Sequence, residues 1–98
     1  MPKYVVERNL PTARSLTPKQ LQTIAQQFCD ALQEMGPQIE WVESYVTADK
    51  FYCVYLAPSI EAIREHGRRG DFPVNRVSEV LFEMDPATAE AGNRQRAA

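Results

Sequence analysis

The chain has 98 residues, of which 44% are hydrophobic and 24% charged, as expected for a single globular domain. Its 11 basic and 13 acidic residues give a net charge of -2, which argues against nucleic acid as the main partner, since phosphate binding needs a basic surface. No apolar run approaches the ~20 residues of a membrane span, and no signal-peptide pattern is seen. We therefore predict a cytoplasmic protein with neither a membrane nor a nucleic-acid partner.

The two cysteines, Cys29 and Cys53, lack the CxxC spacing of metal and redox motifs. In a reducing compartment both are expected to be free thiols, which excludes a disulfide framework and a zinc finger. The dinucleotide, P-loop, zincin and hydrolase motifs are also missing from the sequence, so none of these enzyme classes is supported.

The first part of the chain predicts one strand and one long helix. Residues 4–8 are rich in β-branched side chains and end at a polar turn, as a short strand does. Thr17 can then cap a helix, with Pro18 at the first helical position and Gln20 completing a capping box. Apolar residues follow at three- and four-residue spacing, which predicts an amphipathic helix that ends at Gly36. These residues are Leu21, Ile24, Ala25, Phe28, Leu32 and Met35.

A hairpin and a second helix are predicted in the middle of the chain. Residues 39–46 alternate in side-chain character, whereas residues 51–57 are apolar on both faces, as in a central strand. The four residues between these runs are mostly polar and predict a tight connection. Ser59 begins the second helix, and Gly67 and Gly70 are expected to end it.

The last predicted strand, residues 77–84, completes a domain that spans residues 1–86. Residues 87–98 are small and polar without aromatic side chains, which predicts a disordered C-terminal tail. The order strand, helix, strand, strand, helix, strand is that of the ferredoxin-like βαββαβ fold. This α+β fold consists of a four-stranded antiparallel sheet with two helices on one face.

The sheet face opposite the helices is predicted to carry many aromatic and carboxylate side chains. If Val54 and Leu56 point towards the helices, then Phe51, Cys53 and Tyr55 point away from them. A monomer would not leave so much aromatic surface in water, so we predict a homodimer that buries this face. The face is also the candidate ligand pocket, because enclosed carboxylates can act as acids, bases or ligands beside aromatic walls. The pocket residues are Glu7, Trp41, Glu43, Tyr45, Tyr55 and Glu79.

His66 is the single histidine and the first candidate for chemistry. Neutral imidazole binds zinc, copper and nickel and serves as a general base near neutral pH. One histidine needs further ligands, and Glu65 beside it and the strand thiol Cys53 complete the candidate metal set. The structural alternatives are a helix-terminal histidine favoured by the helix dipole and a cysteine that packs as a small apolar residue. The sequence assigns no catalytic residue.

Four segments stand out together: residues 1–4 (MPKY), 52–58 (YCVYLAP), 63–66 (IREH) and 72–77 (FPVNRV). With them, residues 1–86 resemble a family of small bacterial proteins of unknown function, whose described branch is a dimeric, ferredoxin-like nickel-binding protein. The resemblance implies the fold, a symmetric dimer and a divalent transition metal, nickel in that branch, as cofactor.

The nickel-binding branch has a histidine-rich site at its dimer interface, and only His66 matches it. Glu7-Arg8 and Asp71-Phe72 stand where that branch has further histidines, so a four-histidine site cannot form within one subunit.

Three functions remain open on the sequence alone. The first is a non-enzymatic, dimeric protein that binds a metal or a small ligand, and its metal version depends on His66. The second is a dimeric α+β barrel enzyme acting on a small apolar or aromatic molecule, which requires a closed cavity beside Glu7, Glu43 or Tyr55. The third is a structural or interaction subunit, in which the sheet face serves only as an interface.

Overall fold

Four strands and two helices form the structure, a computed structural model that describes residues 1–90. The elements are β1 (Lys3–Asn9), α1 (Pro18–Met35), β2 (Glu40–Val46), β3 (Lys50–Leu56), α2 (Ile60–Gly70) and β4 (Arg76–Glu79), with a 3-10 turn at Ala13–Ser15. The strands make one antiparallel sheet in the order β2-β3-β1-β4. The predicted α+β architecture and its element order are confirmed.

Local sequence signals begin and end the helices. The Thr17 hydroxyl accepts from the Gln20 backbone N–H at 3.1 Å, and the Gln20 side chain accepts from the Thr17 N–H at 2.8 Å. This reciprocal capping box satisfies two of the amides that a helix start leaves without partners. Gly36, with φ of 88°, ends α1 in a conformation that favours glycine. The prediction for α2 was wrong at Gly67, because the helix continues through it to Gly70.

The helices cover one face of the sheet, and the core lies between them. β1 and β3 supply its centre in register, with Tyr4 opposite Tyr55 and Val6 opposite Cys53. Phe51, Cys53 and Tyr55 are therefore buried beneath the helices, while the half-buried Val54 and Leu56 lie on the open face. The predicted facing of β3 was thus reversed. Alternation defines two faces, and here the larger aromatic rings fill the space under the helices.

A β-bulge at Val42 changes the facing of β2. The register passes from Trp41 opposite Tyr55 directly to Glu43 opposite Val54, so Val42 is one extra residue. Because an extra residue shifts the alternation by one, Trp41 lies on the helix side and Glu43 on the open side. Residues 41 and 43 were predicted to share a face, and the bulge is the reason that they do not.

β4 is shorter than the predicted strand 77–84. Its last backbone hydrogen bond to β1 joins the Val80 N–H to the Lys3 carbonyl at 2.8 Å. β1 itself begins at Lys3, so the chain after Val80 has no further residue of β1 to pair with. The chain then becomes helical at residues 86–90, at the start of the predicted disordered tail. The rest of that tail, residues 91–98, lies outside the described residues.

Candidate functional site

A chain of three buried polar side chains crosses the core between the sheet and α2. Arg8 of β1 donates from Nη2 to the Tyr55 hydroxyl of β3 at 3.1 Å, and that hydroxyl lies 2.9 Å from Nε2 of His66 on α2. Arg8 also donates from Nη1 to the Pro73 carbonyl at 2.8 Å. Arg8 is 2% exposed and His66 is fully buried, so solvent does not screen this cluster.

Strand alternation and one glycine bring these groups together. Tyr4, Val6 and Arg8 are every second residue of β1, so the arginine follows two buried residues onto the covered face. A Cβ at Gly67 would lie 2.5 Å from the Val74 side chain and 3.2 Å from the Phe72 carbonyl. The missing side chain lets the segment after α2 pack tightly on the helix, where the Pro73 carbonyl meets Arg8.

Aromatic rings surround the guanidinium. Its central carbon lies 5.2 Å from the ring centroid of Phe28, 5.8 Å from that of Phe72 and 5.9 Å from that of Tyr55. Phe28 itself packs edge-on against His66 at 5.6 Å and against Phe72 at 4.4 Å. Such rings attract a cation through their quadrupoles but carry no formal negative charge.

Arg8 lines a cavity between α1 and the sheet, which we call the Arg8 cavity. Its volume is about 190 Å³. A second cavity of about 160 Å³ lies next to it and shares Ile24 and Phe51. The walls of the Arg8 cavity are otherwise apolar, apart from the exposed carboxylate of Asp71. The full lining is Arg8, Leu10, Ile24, Phe51, Asp71, Phe72 and Pro73.

Burial sets the protonation of the two neutral members of the cluster. It raises the pKa of Tyr55 far above its usual range, with the Arg8 charge opposing part of that effect, so the phenol stays protonated. Burial, assisted by the Arg8 charge, lowers the pKa of His66 to about 4. The imidazole is therefore neutral at pH 7, and Arg8 is the one charged group of the three.

The three candidate metal ligands do not form a site together. Nδ1 of His66 has no hydrogen-bond partner, but the ring is enclosed beside Arg8. Glu65 binds Arg68 through two hydrogen bonds, at 2.9 and 2.5 Å, and Arg69 through one at 2.7 Å, and these contacts lower its pKa to about 2. Cys53 is buried in the sheet. Within residues 1–90, no group of three His, Cys, Asp or Glu side chains is placed to hold a metal ion.

The six residues predicted to line a ligand pocket are divided between the two faces of the sheet. Glu7 lies on the open face near Lys50, at 3.4 Å, and Arg76, at 3.9 Å. Glu43 and Tyr45 share that face, and the hydrogen bond from the Tyr45 hydroxyl to the Glu43 carboxylate raises the pKa of Tyr45.

Trp41 and Tyr55 lie on the covered face, and Glu79 is exposed on β4, opposite Tyr4. The six therefore do not line one cavity within a subunit.

Sequence reasoning overlooked Arg8, Phe28 and Phe72 as a functional group. The alternation of Tyr4, Val6 and Arg8 was a usable signal, because two apolar residues at every second position place the third on the same face. Nothing local indicates that the loop after α2 supplies Phe72 and the carbonyl of Pro73 to the same cluster, since 65 positions separate Pro73 from Arg8.

A protein-family model described as "Nickel responsive protein SCO4226-like" matches residues 4–80. The chain belongs to this family. The suspected membership among small ferredoxin-like, nickel-related proteins is thereby confirmed. Among curated proteins, no sequence matches.

A solved structure, described as "Crystal structure analysis of SCO4226 from Streptomyces coelicolor A3(2)", is similar in fold. Its TM-score is 0.71 at 17% identity, and the match covers 84% of this chain and 99% of that one. At this identity the similarity establishes the shared fold. Among residues 1–90, no helix is both long and apolar enough to cross a membrane.

Proposed function

We propose that this member of the nickel-responsive family is a non-enzymatic binding protein that holds a small molecule in the Arg8 cavity. The observation that carries the proposal is the buried guanidinium of Arg8, which lines an apolar cavity and contacts only neutral acceptors. Ligand sites combine apolar walls with a few fixed polar groups, as this cavity does. Its volume, about 190 Å³, suits a ligand of roughly one ring.

The lining residues favour binding over catalysis. Arg8 is permanently charged and cannot exchange a proton near neutral pH. The lining contains no cysteine, serine or histidine that could form a nucleophile with an adjacent base, and its one carboxylate, Asp71, is exposed. The carboxylates that an enzyme hypothesis would use, Glu7 and Glu43, line neither of the two cavities between α1 and the sheet.

The test is a fragment screen by ¹H–¹⁵N NMR on the tag-free protein, beside a variant with a filled cavity. Ile24→Trp places a large ring in the space that both cavities share. Gln22→Trp adds the same ring on the exposed side of α1 and serves as the matched control. We expect fragments to shift the amide signals of Phe51, Asp71 and Phe72, and Ile24→Trp alone to weaken binding about tenfold or more. Fragments that bind elsewhere, or equally well to Ile24→Trp, would contradict the proposal.

Nickel binding is the second candidate, because the family description names a nickel response and His66 has a neutral ring with Nδ1 unpartnered. Nδ1 can ligate a metal only in the tautomer that leaves it without a proton. The neighbouring Arg8 charge opposes a dication at this position.

Calorimetric titration with Ni²⁺ tests this candidate on the metal-stripped, tag-free protein. Micromolar affinity that falls in His66→Gln but persists in Ile24→Trp would favour a metal site. If the protein does not bind Ni²⁺, small-molecule binding remains the single proposed function.

A further inference from the structure

We infer that the Arg8 cavity selects a small organic monocarboxylate, whose charged group pairs with Arg8 and whose apolar body fills the cavity. This inference rests on the proposed binding function and names its ligand class. It is carried by the charge of the described residues around Arg8 and by the size and chemistry of the walls.

Arg8 is a buried cation without a counterion among residues 1–90. A guanidinium has five N–H donors, and the two acceptors that Arg8 has here, the Pro73 carbonyl and the Tyr55 hydroxyl, are both neutral. Its Nε is buried without any partner. The ion pairs formed between residues 1–90 involve other, more exposed cations. These are Lys3, Lys50, Arg68, Arg69 and Arg76.

A bound carboxylate would remove the cost of this arrangement. A charge that is withdrawn from water without a counterion loses hydration free energy, and aromatic rings facing the guanidinium recover only part of that loss. Arginine presents paired N–H groups that match the two oxygens of a carboxylate. Because Arg8 lines the cavity, an anion that enters the cavity would approach the N–H groups of Arg8 that have no protein acceptor, among them the buried Nε.

The residues of the cavity wall determine the chemistry of the part of the ligand that carries the carboxylate. Leu10, Ile24, Phe51 and Phe72 offer aliphatic and aromatic contacts, so the remainder of the ligand is apolar. A cavity of roughly 150 Å³ accommodates benzene. At about 190 Å³, the Arg8 cavity fits a ring of that size with one carboxylate attached.

Asp71 restricts the ligand to a single negative charge. It lies at the C-terminal end of α2 and is the only acidic residue among those that line the cavity. It forms no ion pair with Arg8 within 4.0 Å, so it leaves the guanidinium unneutralised while repelling an anion at the cavity wall. A phosphate dianion usually binds several positive groups. This cavity offers one cation, Arg8, beside one carboxylate, Asp71, and therefore does not suit such a ligand.

The experiment compares benzoate with benzamide, a neutral molecule of nearly the same shape, by NMR titration of the full chain. We expect benzoate to bind about tenfold more tightly than benzamide. Arg8→Met should remove that preference while benzamide still binds. Asp71→Asn should strengthen benzoate binding several-fold, because it removes the opposing charge and asparagine tolerates the left-handed φ of 59° at this position.

The outcomes separate this inference from the proposed function. If benzamide binds in the cavity as tightly as benzoate, the inference is overturned and the binding function stands. If no fragment binds in the cavity, both are overturned. Should Arg8→Met fail to fold, the wild-type comparison and Asp71→Asn still decide, since an unchanged benzoate affinity in Asp71→Asn contradicts the inference.

Discussion

At the scale of single residues, the polar core depends on one permanent charge and two groups that burial keeps neutral. Arg8 donates a hydrogen bond to the Tyr55 hydroxyl, and that hydroxyl forms a second hydrogen bond with Nε2 of His66. If the hydroxyl donates to Nε2, the single proton of the neutral ring is on Nδ1, and that nitrogen has no lone pair for a metal. The hydrogen bonds of the cluster then all point the same way, with Arg8 donating to Tyr55 and Tyr55 donating to His66.

His66 should make the protein less stable in mild acid. Its pKa is lowered from 6.5 to about 4, so between these pH values the unfolded chain binds a proton that the native protein does not. Its contribution is fully present above pH 6.5 and is lost as the pH falls towards 4. We expect this group to remove about 2 kcal/mol of unfolding free energy over that window. Urea unfolding at a series of pH values measures the loss.

The matched variant is His66→Gln, which cannot titrate but keeps a side-chain amide near Tyr55. Its unfolding free energy should fall less than that of the wild type between pH 6.5 and 4, although it is lower at neutral pH. Parallel pH curves for the two proteins would show that the ring does not titrate as expected.

At the scale of elements, one β-bulge and one glycine determine how the core around the site packs. The bulge at Val42 turns Trp41 into the core, where it packs edge-on against Phe28 at 5.0 Å and donates from Nε1 to Ser44 at 2.9 Å. Gly67, inside α2, allows the following segment to approach the helix. Without the first, Trp41 would face away from α1, and without the second the Pro73 carbonyl could not stay in place beside Arg8.

Gly67→Ala should destabilise the protein although alanine favours helices. The added Cβ would lie 2.5 Å from the Val74 side chain and 3.2 Å from the Phe72 carbonyl, which is backbone and cannot move cheaply. We expect a loss of about 1–3 kcal/mol in unfolding free energy, typical of overpacking. Thermal and urea denaturation measure it, with Arg64→Ala on the exposed side of the same helix as the control. Stabilisation of Gly67→Ala would contradict the close approach.

At the scale of the whole molecule, the segment that follows β4 exposes large apolar side chains that favour binding to a partner. Leu81, Phe82 and Met84 are 77%, 90% and 84% exposed, in a stretch that has lost its pairing with β1. Large apolar side chains on an unpaired strand edge favour association with another chain. The family match ends at residue 80, just before this segment.

The sequence predicted a homodimer that buries the sheet face, whereas the structure leads us to expect one that pairs two β4 edges antiparallel, because residues 76–83 are self-complementary in that arrangement. Arg76 then lies opposite the partner's Glu83, and Val77 opposite the partner's Phe82. Both charged side chains are more than 70% exposed, and the pairing across the dimer would replace their contacts within one subunit, from Arg76 to Glu7 at 3.9 Å and from Glu83 to Lys3 at 3.0 Å. Each exposed pair contributes about 0.2–1 kcal/mol, so Arg76→Glu and Glu83→Arg should each weaken the dimer a few-fold.

Sedimentation velocity of the single variants and the double variant measures this coupling. The double variant should restore the dimer, because it exchanges the two charges, and Arg64→Glu should have no effect. A dimer that the single changes do not weaken, or that the double change does not restore, would point to association through the open sheet face instead. A monomer at all concentrations would contradict the dimer itself.

The sequence by itself determined what depends on near neighbours along the chain. The capping box at Thr17, the end of α1 at Gly36 and the order of the six elements follow from spacing and turn residues, and they were predicted correctly. Only the tertiary structure decided which face of β3 is covered, where β2 bulges and which polar groups meet. Alternation makes two faces equivalent until something packs on one of them, and a bulge depends on the pairing partner. Arg8 is separated by 47 positions from Tyr55 and by 65 from Pro73, so the buried charge that defines the site exists only once the chain has folded.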